Sequence, residues 1–423
     1  MKLILKDIRV IDPDTNTDAV LDVVSEDGII TFIGKTDDIS NARVIDGKGR
    51  LVAFPGLMDM HVHFRDPGQT YKEDIITGTD AAKAGGFTAV CCMPNTKPPV
   101  DNEELVSYVI DKASKTGIDV YPIACITKGM QSFELCDYDS LKRAGVYAIS
   151  DDGRPVENAE LMRKALELSV TNGLTVISHC EDTNITKGGI INKGKVSKDL
   201  GVGGIDRASE DYITAREIAL AMSCDAHIHI CHVSTKGSVN IIRAAKKDGV
   251  NVTCETAPHY FTFTEEKLYS RDADYRMSPP LRTEEDRAAI EAALLDGTID
   301  CIITDHAPHS KEEKADFEKA PNGVVGLETS LAATLTQLYH TGKCSLMHIA
   351  KLMSSNPRKA FGIAPLSISA GQPCDITIFD PELEWEVIPE ELHSKSKNSV
   401  FKGEKLKGKV LYTISKGKIV FEL

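Results

Sequence analysis

The 423 residues are 42% hydrophobic and 26% charged, which is enough apolar material for a large buried core. A net charge of −14 argues against a nucleic-acid or anionic-membrane partner, and the Lys-rich run SKSKNSVFKGEKLKGK reads as a solvated face. Most of the eleven cysteines sit in apolar runs, as reduced core thiols do. The start, MKLILKDIRVIDPDT, turns charged too soon for a signal peptide or a membrane span, so the chain reads as cytoplasmic.

In chain order, residues 1–54 alternate apolar and polar positions in short runs broken by Gly, Asp and Pro, the pattern of strands and turns. Residues 366–423 repeat it in CDITIFDPELEWEV and GKVLYTISKGKIVFEL. Neither end is long enough to bury a core alone, so the two are expected to pair into one small β-domain, a β-sandwich.

Between 55 and 365 eight short apolar runs recur: GLMDMHVHF (56–64), GFTAVCCMP (86–94), DVYPIACIT (119–127), GVYAIS (145–150), LTVISHC (174–180), AHIHICHV (226–233), NVTCET (251–256) and DCIITDH (300–306). Most are separated by stretches with helical spacing. One of these, NAELMRKALELSVTNG, predicts a helix from Asn158 to Gly173 with Leu161, Ala165, Leu166 and Leu168 on its apolar face. Strands alternating with helices imply parallel βαβ units. Eight of them imply the α/β class with a TIM-like (β/α)8 barrel. Almost every run ends in a ligand-capable group: His61 and His63, Asn95, Asp151 and Asp152, His179, His232, Glu255, Asp305. Strand C-termini of such a barrel converge on one mouth.

His61-Val62-His63 is the first anchor, because strand side chains two apart share a face and both imidazoles can reach one ion. His179 and His232 end two further runs. Four neutral imidazoles suit a borderline-soft divalent metal such as zinc. His227 and His229, with parity opposite to His232, read as structural. Asp305 ends the eighth run, where a carboxylate can ligate a metal through one oxygen and carry a proton on the other, as a general base and then acid must. Two neighbouring cations need a bridging anion. The fourth run offers Ser150-Asp151-Asp152-Gly153 and no lysine, and Lys128, after the third run, is misplaced for that role. Gly153 suggests a turn that favours Asp152, although spacing alone leaves Asp151 open.

Several segments together resemble the class I dihydroorotases of the amidohydrolase superfamily: PGLMDMHVHFRDPG (55–68), CMPNTKP (92–98), SDDG (150–153), SHCED (178–182), CHVST (231–235), PPLR (279–282), TDHAPH (304–309) and GLET (326–329). The resemblance implies reversible cyclisation of N-carbamoyl-L-aspartate to (S)-dihydroorotate, with loss of water, in pyrimidine biosynthesis. It implies two zinc ions per subunit on His61, His63, Asp152, His179, His232 and Asp305, with Asp305 catalytic. It implies that Arg65 and Asn95 grip the substrate carboxylate, with His63, Ser278, His309, Asn322 and Gly323 as further substrate contacts. Arginine suits the carboxylate because its planar fork matches two oxygens at once. A homodimer, and an association with aspartate transcarbamoylase, belong to the same expectation. Ser278 departs from the pattern, standing where the family carries Asn before PPLR. Dihydropyrimidinases, hydantoinases and allantoinases are the nearest alternative, but they generally carry a bridging lysine and lack the HFRDPG arginine. A non-catalytic partner of aspartate transcarbamoylase would have lost metal ligands, and none is missing here. The Gly-rich excursion at 187–205 is a candidate cover for the substrate.

Overall fold

A computed structural model describes residues 2–423. Eight short strands follow the eight apolar runs: β1 (Leu57–Val62), β2 (Phe87–Cys92), β3 (Asp119–Pro122), β4 (Ala148–Ile149), β5 (Thr175–Ser178), β6 (Ile228–Ile230), β7 (Val252–Thr256) and β8 (Cys301–Ile302). They pair in parallel as two arcs, β1-β2-β3 and β4-β5-β6-β7-β8. Parallel bridges Ala124–Ile149 and Val62–His306 join the arcs at both ends. Every residue of β1, β2 and β5 is buried, as expected of parallel strands covered on both faces.

Helices return the chain between strands: Ile75–Ala84, Glu103–Ala113, Tyr138–Arg143, Ala159–Asn172, Ala208–Ser223, Lys236–Lys247 and Glu284–Asp296. The helix expected at Asn158–Gly173 forms. Asn158 caps it by accepting from Glu160 N and Leu161 N, and Gly173 ends it at φ 59°, where a side chain would be strained. Its buried face is Met162, Ala165, Leu166 and Ser169, whereas Leu168 is exposed. At about 100° per residue, Leu168 lies a third of a turn from the centre of that stripe, so the expected face was rotated.

Strands Lys2–Asp12, Thr17–Glu26, Ile29–Gly34, Ala42–Asp46 and Val52–Pro55 join Ile376–Glu386, Lys405–Ser415 and Lys418–Glu422 in one mixed eight-stranded sheet. The seam between the two chain ends is antiparallel, running from Ile376 opposite Pro55 to Phe379 opposite Val52. This sheet buries its own apolar cluster, with Leu3, Leu5, Ile8 and Val10 packed among Ile30, Ile376, Ile378 and Ile414. The cysteines are all free. Among the described residues no helix is long and apolar enough to cross a membrane.

Candidate active site

The C-terminal ends of the parallel strands carry the chemistry, and buried hydrogen bonds set their positions. In the middle of β1, the buried Asp59 carboxylate accepts from His61 N at 2.9 Å, from Thr304 N at 3.1 Å and from Thr304 Oγ1 at 2.6 Å. It thereby fastens β1 to the segment after β8, one residue before Asp305. His63 N donates to His306 O at 2.8 Å across the same seam. Three site residues have left-handed backbones: Arg65 at φ 59°, His232 at φ 31° and Asp305 at φ 47°. Each costs on the order of 1 kcal/mol and re-aims its side chain out of the strand alternation. At His232 the break turns both Cys231 and His232 toward the same cluster.

The four imidazoles and two carboxylates expected to act together do meet. His61 Nε2 lies 3.3 Å from Asp152 Oδ1 and 3.7 Å from Asp305 Oδ1. His63 Nε2 lies 3.1 Å from Asp305 Oδ1 and 3.5 Å from Asp152 Oδ2. His179 Nδ1 is 3.4 Å and His232 Nε2 is 3.6 Å from Asp152 Oδ1, and the two rings approach at 2.9 Å. Burial would raise the Asp152 carboxyl, but the imidazoles of His61, His179 and His232 gathered around it hold it well below the ordinary range. Asp305 is likewise held at about 2 against burial by its hydrogen bond with His63 and by the nearby imidazoles.

Asp151 and Asp152 part company completely. The Asp151 carboxylate accepts from Ile126 N at 2.8 Å, from Thr127 N at 3.1 Å and from the Thr127 hydroxyl, fixing the chain just beyond β3. Asp152 faces the imidazoles. Asp151→Ala is therefore expected to cost about 2–4 kcal/mol in denaturant unfolding, because two buried N–H groups lose their acceptor, while bound metal stays constant. Loss of metal with full stability would reverse the two roles. Lys128 pairs with Glu134 at 2.5 Å on the surface, away from the cluster.

A cavity of about 340 Å³ opens over the cluster, lined by His63, Arg65, Asn95, Asp152, His179, His232, Ser278, Asp305, His309, Asn322 and Gly323, with Gly189 and Ile205 from the 187–205 excursion. His61 lies beneath this lining, fully buried. Asn95 Oδ1 meets His63 Nδ1 at 2.8 Å, and its Nδ2 donates to Asp152 O and Oδ2 at 3.3 Å. Arg65 is buried and donates from Nε to Pro308 O at 3.3 Å. Beside it, His309 donates from Nε2 to Asn322 O at 2.9 Å. Burial and the cations Arg65, Lys72 and Lys314 push His309 down to about 3, so it is a neutral imidazole at neutral pH. Gly323 has φ 139°, and a Cβ there would meet Ala307 O at 2.6 Å, so only glycine fits this wall. The excursion is tied down: Arg282 donates to Asn192 Oδ1 at 3.1 Å, to Ile205 O at 3.3 Å and to Glu210 Oε2 at 3.3 Å.

Sequence reasoning missed two buried side chains. Lys72 sits 3.3 Å from His309 Nδ1 and 3.0 Å from Glu313, adding a second cation behind Arg65. Glu255, noted only as a strand-end carboxylate, contacts His61 Nδ1 at 2.7 Å from below the cluster. Position on a strand end was the available signal for Glu255. Lys72 lies in an irregular loop, where no periodicity points to it.

The donor set fits divalent metal ions. Ligand atoms of His61, Asp152, Cys231 and His232 lie within 4.8 Å of one another, as do those of His61, His63 and Asp305. His61 Nε2 and Asp152 Oδ1 are buried without a hydrogen-bond partner among the described residues. Buried polar atoms are costly to leave unpaired, and a cation between them would satisfy both. Imidazole nitrogen and carboxylate oxygen are donors that zinc and similar ions accept.

Parallel strands whose C-terminal ends carry such a cluster beneath an arginine-lined cavity define a metal-dependent hydrolase of the amidohydrolase kind. A family model described as dihydro-orotase-like matches residues 49–238. The chain is 51% identical to a protein named dihydroorotase from Trichlorobacter lovleyi over 100% of this chain and 99% of that one. It is 49% identical to a dihydroorotase from Geobacter sp., covering both chains fully. Among solved structures, the L-hydantoinase (dihydropyrimidinase) from Arthrobacter aurescens superimposes with a TM-score of 0.87 at 25% identity, covering 99% of this chain and 96% of that one. Dihydropyrimidinase from Brevibacillus agri also superimposes with a TM-score of 0.87 at 25% identity, covering 100% and 95%. The chain belongs to the dihydroorotase family.

Proposed function

We propose that the chain is a dihydroorotase, interconverting N-carbamoyl-L-aspartate and (S)-dihydroorotate in pyrimidine biosynthesis. The observation that carries this reading is the buried Arg65 guanidinium in the same cavity as the histidine–aspartate cluster. A ring amide bearing a carboxylate needs both, whereas a neutral ring needs only the cluster. Identity near 50% over the full chain to proteins named dihydroorotase supports the same substrate. In this reading the two arcs bridged at both ends form a (β/α)8 barrel over 55–365, and 1–54 with 366–423 form a β-sandwich domain. The protein is placed in the cytoplasm as a homodimer, with aspartate transcarbamoylase as a candidate partner.

His61, His63, His179, His232, Asp152 and Asp305 would hold two zinc ions. When bound, these supply Lewis acidity at the ring carbonyl and ease deprotonation of the attacking water. Arg65 and Asn95 receive the substrate carboxylate, and Ser278, His309 and the Asn322–Gly323 wall position the ring against the cluster. In the hydrolytic direction Asp305 accepts a proton from the attacking water on a carboxylate oxygen and returns it to the departing ring nitrogen. Ring closure reverses the steps: Asp305 takes the proton from the ureido nitrogen and gives it to the departing oxygen. Asp305 Oδ1, 3.1 Å from His63 Nε2, is held where it faces the cavity.

Arg65→Lys replaces a two-point fork by a point charge, so KM for dihydroorotate is expected to rise roughly 10–100-fold. An unchanged KM would place the carboxylate elsewhere. The reading as a whole is tested by following turnover of dihydroorotate, dihydrouracil and hydantoin spectrophotometrically. Preference for dihydroorotate is expected, and preference for either neutral ring would assign the chain to the hydantoinase-type reaction instead.

A further inference from the structure

Beneath the cluster runs an unbroken chain of polar contacts, buried at its His61–Glu255–His229 end, that the proposed reaction does not use. His61 Nδ1 lies 2.7 Å from Glu255 Oε1, and His229 Nε2 lies 3.0 Å from Glu255 Oε2. His229 Nδ1 is 2.7 Å from Thr253 Oγ1, and His227 Nε2 is 2.8 Å from the same hydroxyl. His61, His229, Thr253 and Glu255 are spaced two apart on β7 or placed opposite it, so the strand period itself aligns them. Glu255, His61 and His229 are 0% exposed.

Proton placement along this chain follows from donor and acceptor capacity. An ionised carboxylate only accepts, so both imidazole nitrogens facing Glu255 carry hydrogen. A neutral His229 then has its Nδ1 free to accept from the Thr253 hydroxyl, whose oxygen in turn accepts from His227 Nε2–H. That arrangement satisfies every contact. At the other end it leaves the lone pair of His61 on Nε2, the buried atom 3.3 Å from Asp152 Oδ1 that has no hydrogen-bond partner among the described residues. The structure assigns Glu255, braced by His229, as the positioning residue that fixes the tautomer and ring plane of His61 so that Nε2 is presented to a divalent cation. This rests on the reading that the cluster holds such ions. Carboxylates behind metal-bound histidines act in this way, and removing them typically weakens metal binding 10–100-fold.

Glu255→Gln keeps the volume but offers an N–H to one of the two imidazoles, so one ring must give up its inward proton. If His61 yields, its hydrogen moves to Nε2 and blocks the ligand position; if His229 yields, His61 still loses the carboxylate that strengthens Nε2 as a donor. Zinc affinity of the wild type and of Glu255→Gln, measured by competition with a chromophoric chelator, should differ by 10–100-fold, with kcat lowered and KM for dihydroorotate unchanged because Arg65 is untouched. Circular dichroism and melting of the zinc-free forms would check that the variant folds. A variant that melts earlier yet binds zinc within twofold of wild type would make Glu255 merely structural and overturn the assignment. Zinc-loaded wild-type protein supplies a second measurement. Histidine nitrogen NMR should report His61 metal-bound through Nε2 with Nδ1 protonated, and binding through Nδ1 would overturn the assignment without any variant. Wild-type protein that binds no zinc would instead defeat the metal reading on which this rests.

Discussion

Asp305→Asn is expected to lower kcat for dihydroorotate by about 10³–10⁴-fold, the scale of losing general acid–base catalysis, with the fold intact. Asp305 Oδ1 is 3.1 Å from His63 Nε2 and 3.7 Å from His61 Nε2, so the same carboxylate borders the cluster and faces the cavity. Its pKa is held at about 2, so it is an ionised carboxylate at neutral pH. Asparagine is the cleaner variant because Asp305 sits at φ 47°, a conformation that asparagine adopts more readily than alanine. Asp305→Ala should lose as much turnover and some stability besides. Turnover of Asp305→Asn within tenfold of wild type would remove this residue from the chemistry.

Asp152→Asn is expected to abolish measurable turnover for a different reason, by emptying the cluster. Among the described residues only Asp152 reaches all four imidazoles, with Oδ1 within 3.6 Å of His61, His179 and His232 and Oδ2 at 3.5 Å from His63. Neutralising it removes the anion that would lie between two cations, whose mutual repulsion would then act unscreened in a buried site. Zinc content should fall from two ions per chain to one or none, and zinc affinity by roughly 100-fold or more, the upper end of what loss of a supporting carboxylate produces. Retention of two ions by Asp152→Asn would show that another group bridges them. The contrast with Asp151→Ala, unstable but metal-replete, separates two adjacent carboxylates by measurement.

Period-2 geometry made His61 and His63 legible in the sequence, and strand-end position made His179, His232 and Asp305 legible. These depend only on where an apolar run stops. What the sequence concealed depends on long-range packing. Whether Asp151 or Asp152 turns inward is decided by Ile126 N, Thr127 N and the Thr127 hydroxyl, which capture Asp151 from the segment beyond β3. His227 and His229 were read as structural from parity, yet the contact of His229 with Glu255 and, through it, with His61 joins β6 to β1 across β7 and has no signature in any one segment. Leu168 was placed on the wrong side of its helix because leucines recur on two flanks of that stripe and hydrophobicity alone does not choose between them. The pairing of the chain ends was foreseeable from their alternation, whereas the seam between Val52–Pro55 and Ile376–Phe379 depends on register.

The most direct measurement is anomalous diffraction at the zinc edge from crystals of the purified protein with dihydroorotate bound. Two peaks are expected, both within coordination distance of Asp152, one also near His61 and His63 and the other near His179 and His232, with the substrate carboxylate on Arg65. An anomalous map with no peak at this cluster in protein that turns over dihydroorotate, or with peaks remote from Asp152, would contradict a site built by the convergence of these strand ends.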